Sequence, residues 1–535
     1  MDKAILNALQ VNTVFDLIKP VGEAGKQYKH HPAKWKPGRE VDLRKEYKRL
    51  EALIIILKEN KKLTDQLSSA LSELPYLPNT LKALQERPLF LHECFEIKKL
   101  VHYALQLKQL TVKHGLQKSY PLPELNKVYN MLDPEHTISP TFNLSPAFDT
   151  KLAKLIGEIS NLQSAQRKEE HKLLQSAQKA LSLNNPTIEL VISRLEKEKV
   201  KKLAKSEYYL LADENFANLT YRLKDNKQLA ETRKQISALS AQITKTEEAV
   251  LKSLSKKLNA YHPALIQTAE LVQKLDWDYA KAVFAVRYNC CIPKITNKLQ
   301  VYAKQAANLP VKFSQAEKNR RYQPVDLEFN NTLNIITGPN MGGKTTALKT
   351  IGQLCLLAQY AVPLPAKEAE ICLFDNVWYN QELEGGENLS SFGKEIVSLS
   401  AILRKKGKTL FLFDELAKGT NPVEGEAILT AVLDYVKSLS CLCLAATHYD
   451  IAKNVKTAVQ YAIKGIDIKA LKKLSNIDKQ SLEKQLDLIN QLMDYSLIKL
   501  TGKAAPPQNA IPIAEILGLP EDIITKAEVL SNKKG

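Results

Sequence analysis

The chain has 535 residues, with 76 Lys+Arg against 58 Asp+Glu and a net charge of +18. That is long enough for three or more domains. Its apolar runs, such as Ala52–Leu57 and Cys441–Ala446, fall far short of the roughly 18 residues that span a bilayer. Met1-Asp2-Lys3 opens no signal-peptide core, so a soluble, cytoplasmic protein with no membrane partner is expected.

The charge is unevenly placed. Residues 1–330 carry 53 Lys+Arg and 36 Asp+Glu, while residues 331–535 carry 23 and 22. A positive field of that kind attracts polyanions, nucleic acid first and acidic protein surfaces second; a solvated, lysine-rich helical surface would look the same. The seven cysteines form no C-x-x-C pair and cluster with no histidine at zinc spacing. They read as buried thiols in a reducing compartment, with Cys441 and Cys443 sharing one strand face.

The first 45 residues contain Pro20, Gly22, Gly25, Pro32, Pro37 and Gly38 and are expected to be loop after one short helix. Tyr47, Leu50, Ile54 and Leu57, then Leu63, Leu67, Leu71 and Leu74, step at three and four as amphipathic helices do. Helix resumes over 81–109, and a Pro-rich connector follows at 119–146. Residues 147–182 and 226–260 read as two long polar helices that pack on each other along a narrow stripe. Between them lie Arg194, Lys197, Lys199, Lys201, Lys202 and Lys205, then Tyr208, Tyr209, Phe216 and Tyr221. Such an arm tip suits either a nucleic-acid backbone or a small packed cap.

From Val311 the pattern changes to short apolar runs between helices. Leu333–Thr337, Ile371–Val377, Leu410–Phe413 and Leu442–Thr447 are strand candidates of the doubly covered kind. From about Asp478 the chain is expected to be helical again. The division expected is 1–130 (helical core), 131–310 (lever arms with a basic tip near 190–225), 311–477 (an α/β domain) and 478–535 (a helical tail).

The chemistry is concentrated in the α/β part. Gly338, Gly343, Lys344 and Thr345 satisfy G-x-x-x-x-G-K-[ST] directly after the strand candidate 333–337. In that pattern the glycines let backbone N–H groups wrap phosphate oxygens, the lysine reaches the β- and γ-phosphates, and the hydroxyl coordinates Mg²⁺. Thr346 opens a helix whose N-terminus faces the phosphates. Seventy residues after Lys344, a hydrophobic strand ends in Asp414 and Glu415. The first is placed to anchor Mg²⁺, the second to orient or deprotonate a water. His448 ends another strand, where it can sense a γ-phosphate. Ser390 starts a helix and reads as an N-cap.

These motifs together, T-G-P-N-M-G-G-K-T at Thr337–Thr345, S-S-F-G-K-E at Ser390–Glu395, D-E-L-A-K-G-T at Asp414–Thr420 and A-T-H-Y at Ala446–Tyr449, resemble the ATPase domain of the MutS family. The tail at Ile513–Ile524 is similar to that family's dimer-bracing helices. The resemblance implies an α/β P-loop ATPase domain, a parallel sheet with helices on both faces, after a mostly α-helical core and long lever arms. It implies a dimer, with ATP and Mg²⁺ as cofactors. The ATP-binding set would be Gly338, Pro339, Asn340, Met341, Gly342, Gly343, Lys344, Thr345 and Thr346, with Ser390 reaching in from the partner protomer. Thr345 and Asp414 would hold the metal, and Glu415, His448 and Lys344 would carry catalysis. Phe313 and Tyr322 are candidates to stack on adenine.

Departures from the family pattern matter too. Mismatch-reading members carry a Phe-x-Glu wedge near the N-terminus; here Phe-x-Glu occurs once, at Phe413–Glu415 on the carboxylate strand. Wedge-type mismatch recognition is therefore not expected; nor, with the bracing helices so near residue 535, is a C-terminal nuclease. A DNA-binding ATPase, contacting DNA through Lys197, Lys199, Lys201 and Lys202, is one expectation. The other is a protein-remodelling ATPase resembling the reactivating factor of adenosylcobalamin-dependent lysine 5,6-aminomutase, which the turn Gly419–Gly425 also suits.

Overall fold

The computed structural model describes residues 3–338, 343–380, 390–449, 455, 457–466, 489, 491–500 and 510–532. Two compact units divide the chain, one built from 1–72, 110–120 and 272–535, the other from 73–109 and 121–271.

The N-terminal stretch is not loop. It forms α1 (Lys3–Ala8), α2 (Val11–Leu17) and α3 (Glu23–His30) before α4 (Glu40–Glu59) and α5 (Lys61–Ser72). The prolines and glycines mark where these helices stop; they do not prevent them. Gly22 and Gly25 are there for close approach. A Cβ on Gly25 would lie 2.1 Å from Asp276 Oδ2, and that carboxylate accepts the N–H groups of Val21 and Gly22 at 3.0 and 2.9 Å. Burial raises the Asp276 carboxyl to about 6, with the backbone hydrogen bonds opposing. The amphipathic reading of α4 and α5 holds: Leu43, Tyr47, Leu50, Leu53 and Leu57 are buried on one, Leu63, Leu67 and Leu71 on the other.

Next come α6 (Pro78–Glu86), α7 (Leu91–Lys113) and α8 (Asn126–Leu132). The last is a short helix inside the expected connector, fitted between Pro123 and Pro134. The two long polar helices are present as α9 (Thr150–Leu181) and α11 (Lys227–Asn259). Asp149 and Asn226 cap them by accepting the N–H groups of Leu152 and Leu229. On α9 only Leu152, Leu155, Glu170 and Ala177 are buried. The pair is pinned by polar links, Arg233 to Glu170 at 3.0 Å and Asn226 to Glu169 at 3.0 Å.

Between them β1 (Glu189–Ser193), α10 (Lys197–Ala204), β2 (Tyr209–Glu214) and β3 (Asn218–Leu223) form an antiparallel sheet, order β1-β3-β2, with a helix on it. Tyr209, Tyr221, Leu203, Leu219 and Leu223 pack with Ala177 of α9 into a separate small core. The aromatic residues thus follow the packed-cap reading, except Phe216, which is fully exposed between β2 and β3.

After α12 (His262–Tyr288) the chain runs β4 (Lys294–Thr296), β5 (Val301–Ala306), α13 (Leu309–Glu317), β6 (Val325–Phe329), β7 (Leu333–Thr337), α14 (Lys344–Gln359), β8 (Glu368–Cys372), β9 (Asn376–Tyr379), α15 (Ser391–Leu403), β10 (Thr409–Asp414), α16 (Pro422–Val436), β11 (Cys441–Ala446), β12 (Val459–Ile466), β13 (Met493–Lys499), α17 (Ala510–Ile516) and α18 (Glu521–Asn532). The main sheet has the order β13-β12-β7-β11-β10-β9. Its strands are parallel except β13, which pairs antiparallel to β12 at the edge. Phe411, Phe413, Cys441 and Cys443 face α15 and α16. On the opposite face, a Cβ on Gly352 of α14 would meet Leu412 and Leu9 at 2.8 Å. Helices therefore cover both faces, as expected of strands that read as unbroken apolar runs.

Three boundaries differ from the sequence reading. The strand candidate Ile371–Val377 is the end of β8 and the start of β9, which lie in different sheets. β4 and β5 join β8 and β6 in a second sheet, so the strands of the α/β part begin at Lys294 rather than after Val311. The tail is not all helix, because β13 alternates polar and apolar residues as a half-covered edge strand does. Among the described residues, no helix is long and apolar enough to cross a membrane. All seven cysteines are free, and all but Cys291 are buried.

Candidate nucleotide site

The carboxyl ends of β7, β9, β10 and β11 lie side by side in the parallel part of the sheet, where open α/β sheets bind ligands. The expected ATP-binding residues Pro339, Asn340, Met341 and Gly342 lie outside the described residues. The flanking glycines are described, and both sit at positive φ, +142° for Gly338 and +87° for Gly343. Gly343 is the left-handed residue that starts α14, a conformation that disfavours any side chain. On the first turn of α14, Lys344 is buried and its Nζ donates to the Gly338 carbonyl at 2.6 Å. Burial lowers the ammonium pKa, and Glu415 and Asp414 counter it. The Thr345 hydroxyl donates to Asp414 Oδ1 at 3.0 Å.

Asp414 ends β10, and the Tyr379 hydroxyl donates to its other oxygen at 3.0 Å. Glu415 follows with a left-handed backbone, φ +55°, and its N–H donates to the Ala446 carbonyl at the end of β11. Its carboxylate meets Lys418 Nζ at 2.7 Å and His448 Nδ1 at 3.8 Å. Burial would raise the Glu415 carboxyl, yet the net shift is downward because Lys418, Lys344 and His448 are close.

Lys344, Thr345, Asp414, Glu415 and His448, which are far apart in sequence, are thus brought together. Ser390 is exposed and caps α15, accepting the Gly393 N–H at 3.2 Å. It enters none of the contacts that link the other five. Thr345 and Asp414 place two hard oxygen donors 3.0 Å apart, a set that suits Mg²⁺, which takes few protein ligands and completes its shell with phosphate and water.

Beside the loop lies a cavity of about 290 Å³ lined by Val311, Tyr322, Gln323, Thr346, Thr350 and Tyr495, among others. Of the two stacking candidates, Tyr322 lines it. Phe313 instead packs against Tyr288 at 5.7 Å. Tyr495 escapes the sequence reading, which expects helix where β13 lies. It is held by a hydrogen bond from its N–H to Gln323 Oε1 at 3.1 Å, while Gln323 Nε2 donates to Asp494 at 2.9 Å. Tyr379 and Asn380 also escape it, although their place at the end of β9, parallel to β10, would have pointed to them.

The lysines expected to contact nucleic acid belong to the other unit. Lys197, Lys199, Lys201 and Lys202 are exposed on α10, but Lys199 pairs with Glu196 at 2.5 Å and Lys201 with Glu198 at 3.9 Å. Residues 183–225 carry 8 Lys+Arg and 7 Asp+Glu, so the cap is close to neutral.

Residues 334–533, which include the phosphate loop, both carboxylates and His448, match the family described as MutS domain V. Over this stretch the chain is similar to proteins of the MutS family. Similar proteins include Endonuclease MutS2 of Fusobacterium nucleatum subsp. nucleatum, 35% identical over 305 residues, which are 54% of this chain and 36% of that protein. Endonuclease MutS2 of Caldanaerobacter subterraneus subsp. tengcongensis is 29% identical over 309 residues, 56% of this chain and 36% of its own. A DNA mismatch repair protein MutS of Thermus thermophilus is 30% identical over 308 residues, 57% and 34% respectively. The match therefore spans about a third of each of these MutS relatives.

Proposed function

We propose that the protein is an ATPase that works as a homodimer on DNA, without wedge-type mismatch recognition. The observation that carries the ATPase reading is the convergence of Lys344, Thr345, Asp414, Glu415 and His448 at the ends of two adjacent strands and the start of one helix. Lys344 holds the β- and γ-phosphate oxygens, and the backbone of the loop at 338–346 cradles them. Mg²⁺ held by Thr345 and Asp414 would neutralise charge on those oxygens. Glu415 orients the attacking water and accepts its proton, and His448 hydrogen-bonds the γ-phosphate. Tyr322 and Tyr495 flank the base. Ser390 completes the neighbouring protomer's site.

The test is complementation between protomers. Ser390→Ala and Lys344→Ala chains are mixed and ATP turnover is measured. In a mixed dimer with shared sites, one site carries both lesions and the other neither, so activity rises above that of either homodimer. No rise, with mixed dimers shown to form, assigns each site to a single chain.

The DNA reading rests on the net charge of +18 and on the names of the relatives. It predicts binding that weakens steeply with salt and does not distinguish matched from mismatched duplex. The near-neutral cap favours a second reading, a protein partner such as an adenosylcobalamin-dependent aminomutase, because ion-paired lysines offer little to a phosphate backbone. Absence of binding to duplex, junction or single strand at low salt selects that second reading.

A further inference from the structure

The carboxylate turn is braced by two side chains that the roles above do not use. Asn380 follows β9. Its Nδ2 donates both to the Asp414 carbonyl at 2.7 Å and to Glu395 Oε1 at 2.9 Å, while its Oδ1 accepts the Asp414 N–H. The other Glu395 oxygen accepts the Ala417 N–H at 3.1 Å. One asparagine and one glutamate therefore hold the backbone on both sides of Glu415. Glu395 stands on the second turn of α15, whose first turn is capped by Ser390. The held segment is itself strained, with Glu415 and Ala417 both left-handed at φ +55° and +62°. Such backbone persists only where its surroundings over-determine it, and these four hydrogen bonds supply part of that determination.

We propose that Asn380 and Glu395 are positioning residues that tie helix α15 to the turn carrying Glu415, so that engagement of Ser390 at the start of α15 sets the aim of the Glu415 carboxylate. This rests on the ATPase reading and deepens it. It makes the neighbouring protomer's nucleotide, through Ser390, a regulator of hydrolysis at this chain's own site. Neither residue touches the phosphates, so their loss should act on turnover rather than on binding.

The donor–acceptor pattern gives a specific test. In Asn380→Asp two carboxylates face each other. In Glu395→Gln an amide is turned against one of two N–H donors. In the double variant the new amide at position 395 can donate to the new carboxylate at position 380. That carboxylate can still accept the Asp414 N–H, and the amide oxygen can still accept the Ala417 N–H, so that one contact, to the Asp414 carbonyl, is lost. Each single variant is expected to lower kcat about tenfold or more, with KM and the affinity for a fluorescent ATP analogue within about twofold, and the double variant to recover part of the loss. Adding Ser390→Ala to Glu395→Gln should cost no more than the larger single effect, because both act along one connection.

Wild-type kcat in both single variants would overturn the proposal. So would loss of kcat and nucleotide affinity in parallel, a double variant no better than the singles, or additive effects with Ser390→Ala. Thermal unfolding of each variant identifies one that fails to fold, and Asn380→Ser then replaces Asn380→Asp. If the wild-type protein hydrolyses no ATP, it is the ATPase reading that fails.

Discussion

The main sheet and the long arms obey the same hydrophobic rule and arrive at opposite structures. On β11 all six residues are buried, and the neighbouring β10 is nearly the same. On α9, only four of 32 residues are buried. In the first region each residue has a fixed set of neighbours on two faces, and the places where the chain must bend are held by glycine or by strain. In the second, a thin apolar stripe sets the partner and ion pairs set the rotation, with most side chains in water. The difference teaches where substitutions should be felt. The sheet ends, where the proposed chemistry lies, should concentrate the sensitivity, while the arms should tolerate change nearly everywhere outside their stripe.

The largest effect expected is at Glu415. Glu415→Ala should keep nucleotide affinity and lose about 100-fold or more in turnover, because a group that orients water acts mainly in the transition state. Lys344→Ala should lose both. Equal turnover in wild type and Glu415→Ala would remove the sheet end from the chemistry.

Next is a pH effect confined to the sheet-bearing unit. The folded protein holds the Asp276 proton more tightly than an unfolded chain does, with a pKa of about 6 against an ordinary 3.8. Its contribution to stability is therefore full below about pH 4 and is lost as pH rises through about 6, amounting to about 3 kcal/mol. Asp276→Asn should flatten the stability profile over that window in thermal or denaturant unfolding. A profile identical to wild type would show that the backbone N–H groups fully offset burial at Asp276 and leave its carboxyl unshifted.

One substitution made in both regions sharpens the comparison further. Gly25→Ala drives a methyl into Asp276 and should destabilise by about 1–3 kcal/mol. Gly157→Ala, on α9 with nothing within 4 Å of its added Cβ, should stabilise by about 0.5–1 kcal/mol through helix propensity and reduced chain entropy. Melting temperatures that move in the same direction would break the comparison.

The smallest effect concerns the cap. Replacing Lys197, Lys199, Lys201 and Lys202 with Glu should leave basal ATP turnover unchanged and weaken DNA binding only a few-fold, about what partly paired lysines contribute. A loss of 100-fold or more would show that the cap is the main DNA contact despite its ion pairs.

The legible parts of the sequence are those in which one local pattern determines the outcome. The phosphate-loop glycines, the strand ending in Asp414 and Glu415, and the polar runs that form α9 and α11 each carry their own signal. What escapes depends on partners far along the chain. The N-terminal helices are hidden by breakers whose purpose, at Gly25, is contact with Asp276 some 250 residues later. Tyr495 reaches the cavity because Gln323 holds β13, and no spacing within 478–535 announces that. Ile371–Val377 looks like one strand because both halves are apolar, yet they pair in different sheets. The charge of the cap escapes for a related reason: counting Lys and Arg does not reveal which of them already face a carboxylate, as Lys199 and Lys201 do.

Glu415 and Ala417 carry a backbone conformation that costs non-glycine residues about 1–3 kcal/mol each. Glycine or asparagine at 415 would relieve part of that strain, and would also remove the carboxylate proposed to orient the water. Under the proposed role, a selection of this protein for heat resistance alone would enrich chains that melt later and bind nucleotide yet no longer turn it over. Durability and turnover pull in opposite directions at one residue, and only a screen that scores both would keep the natural glutamate.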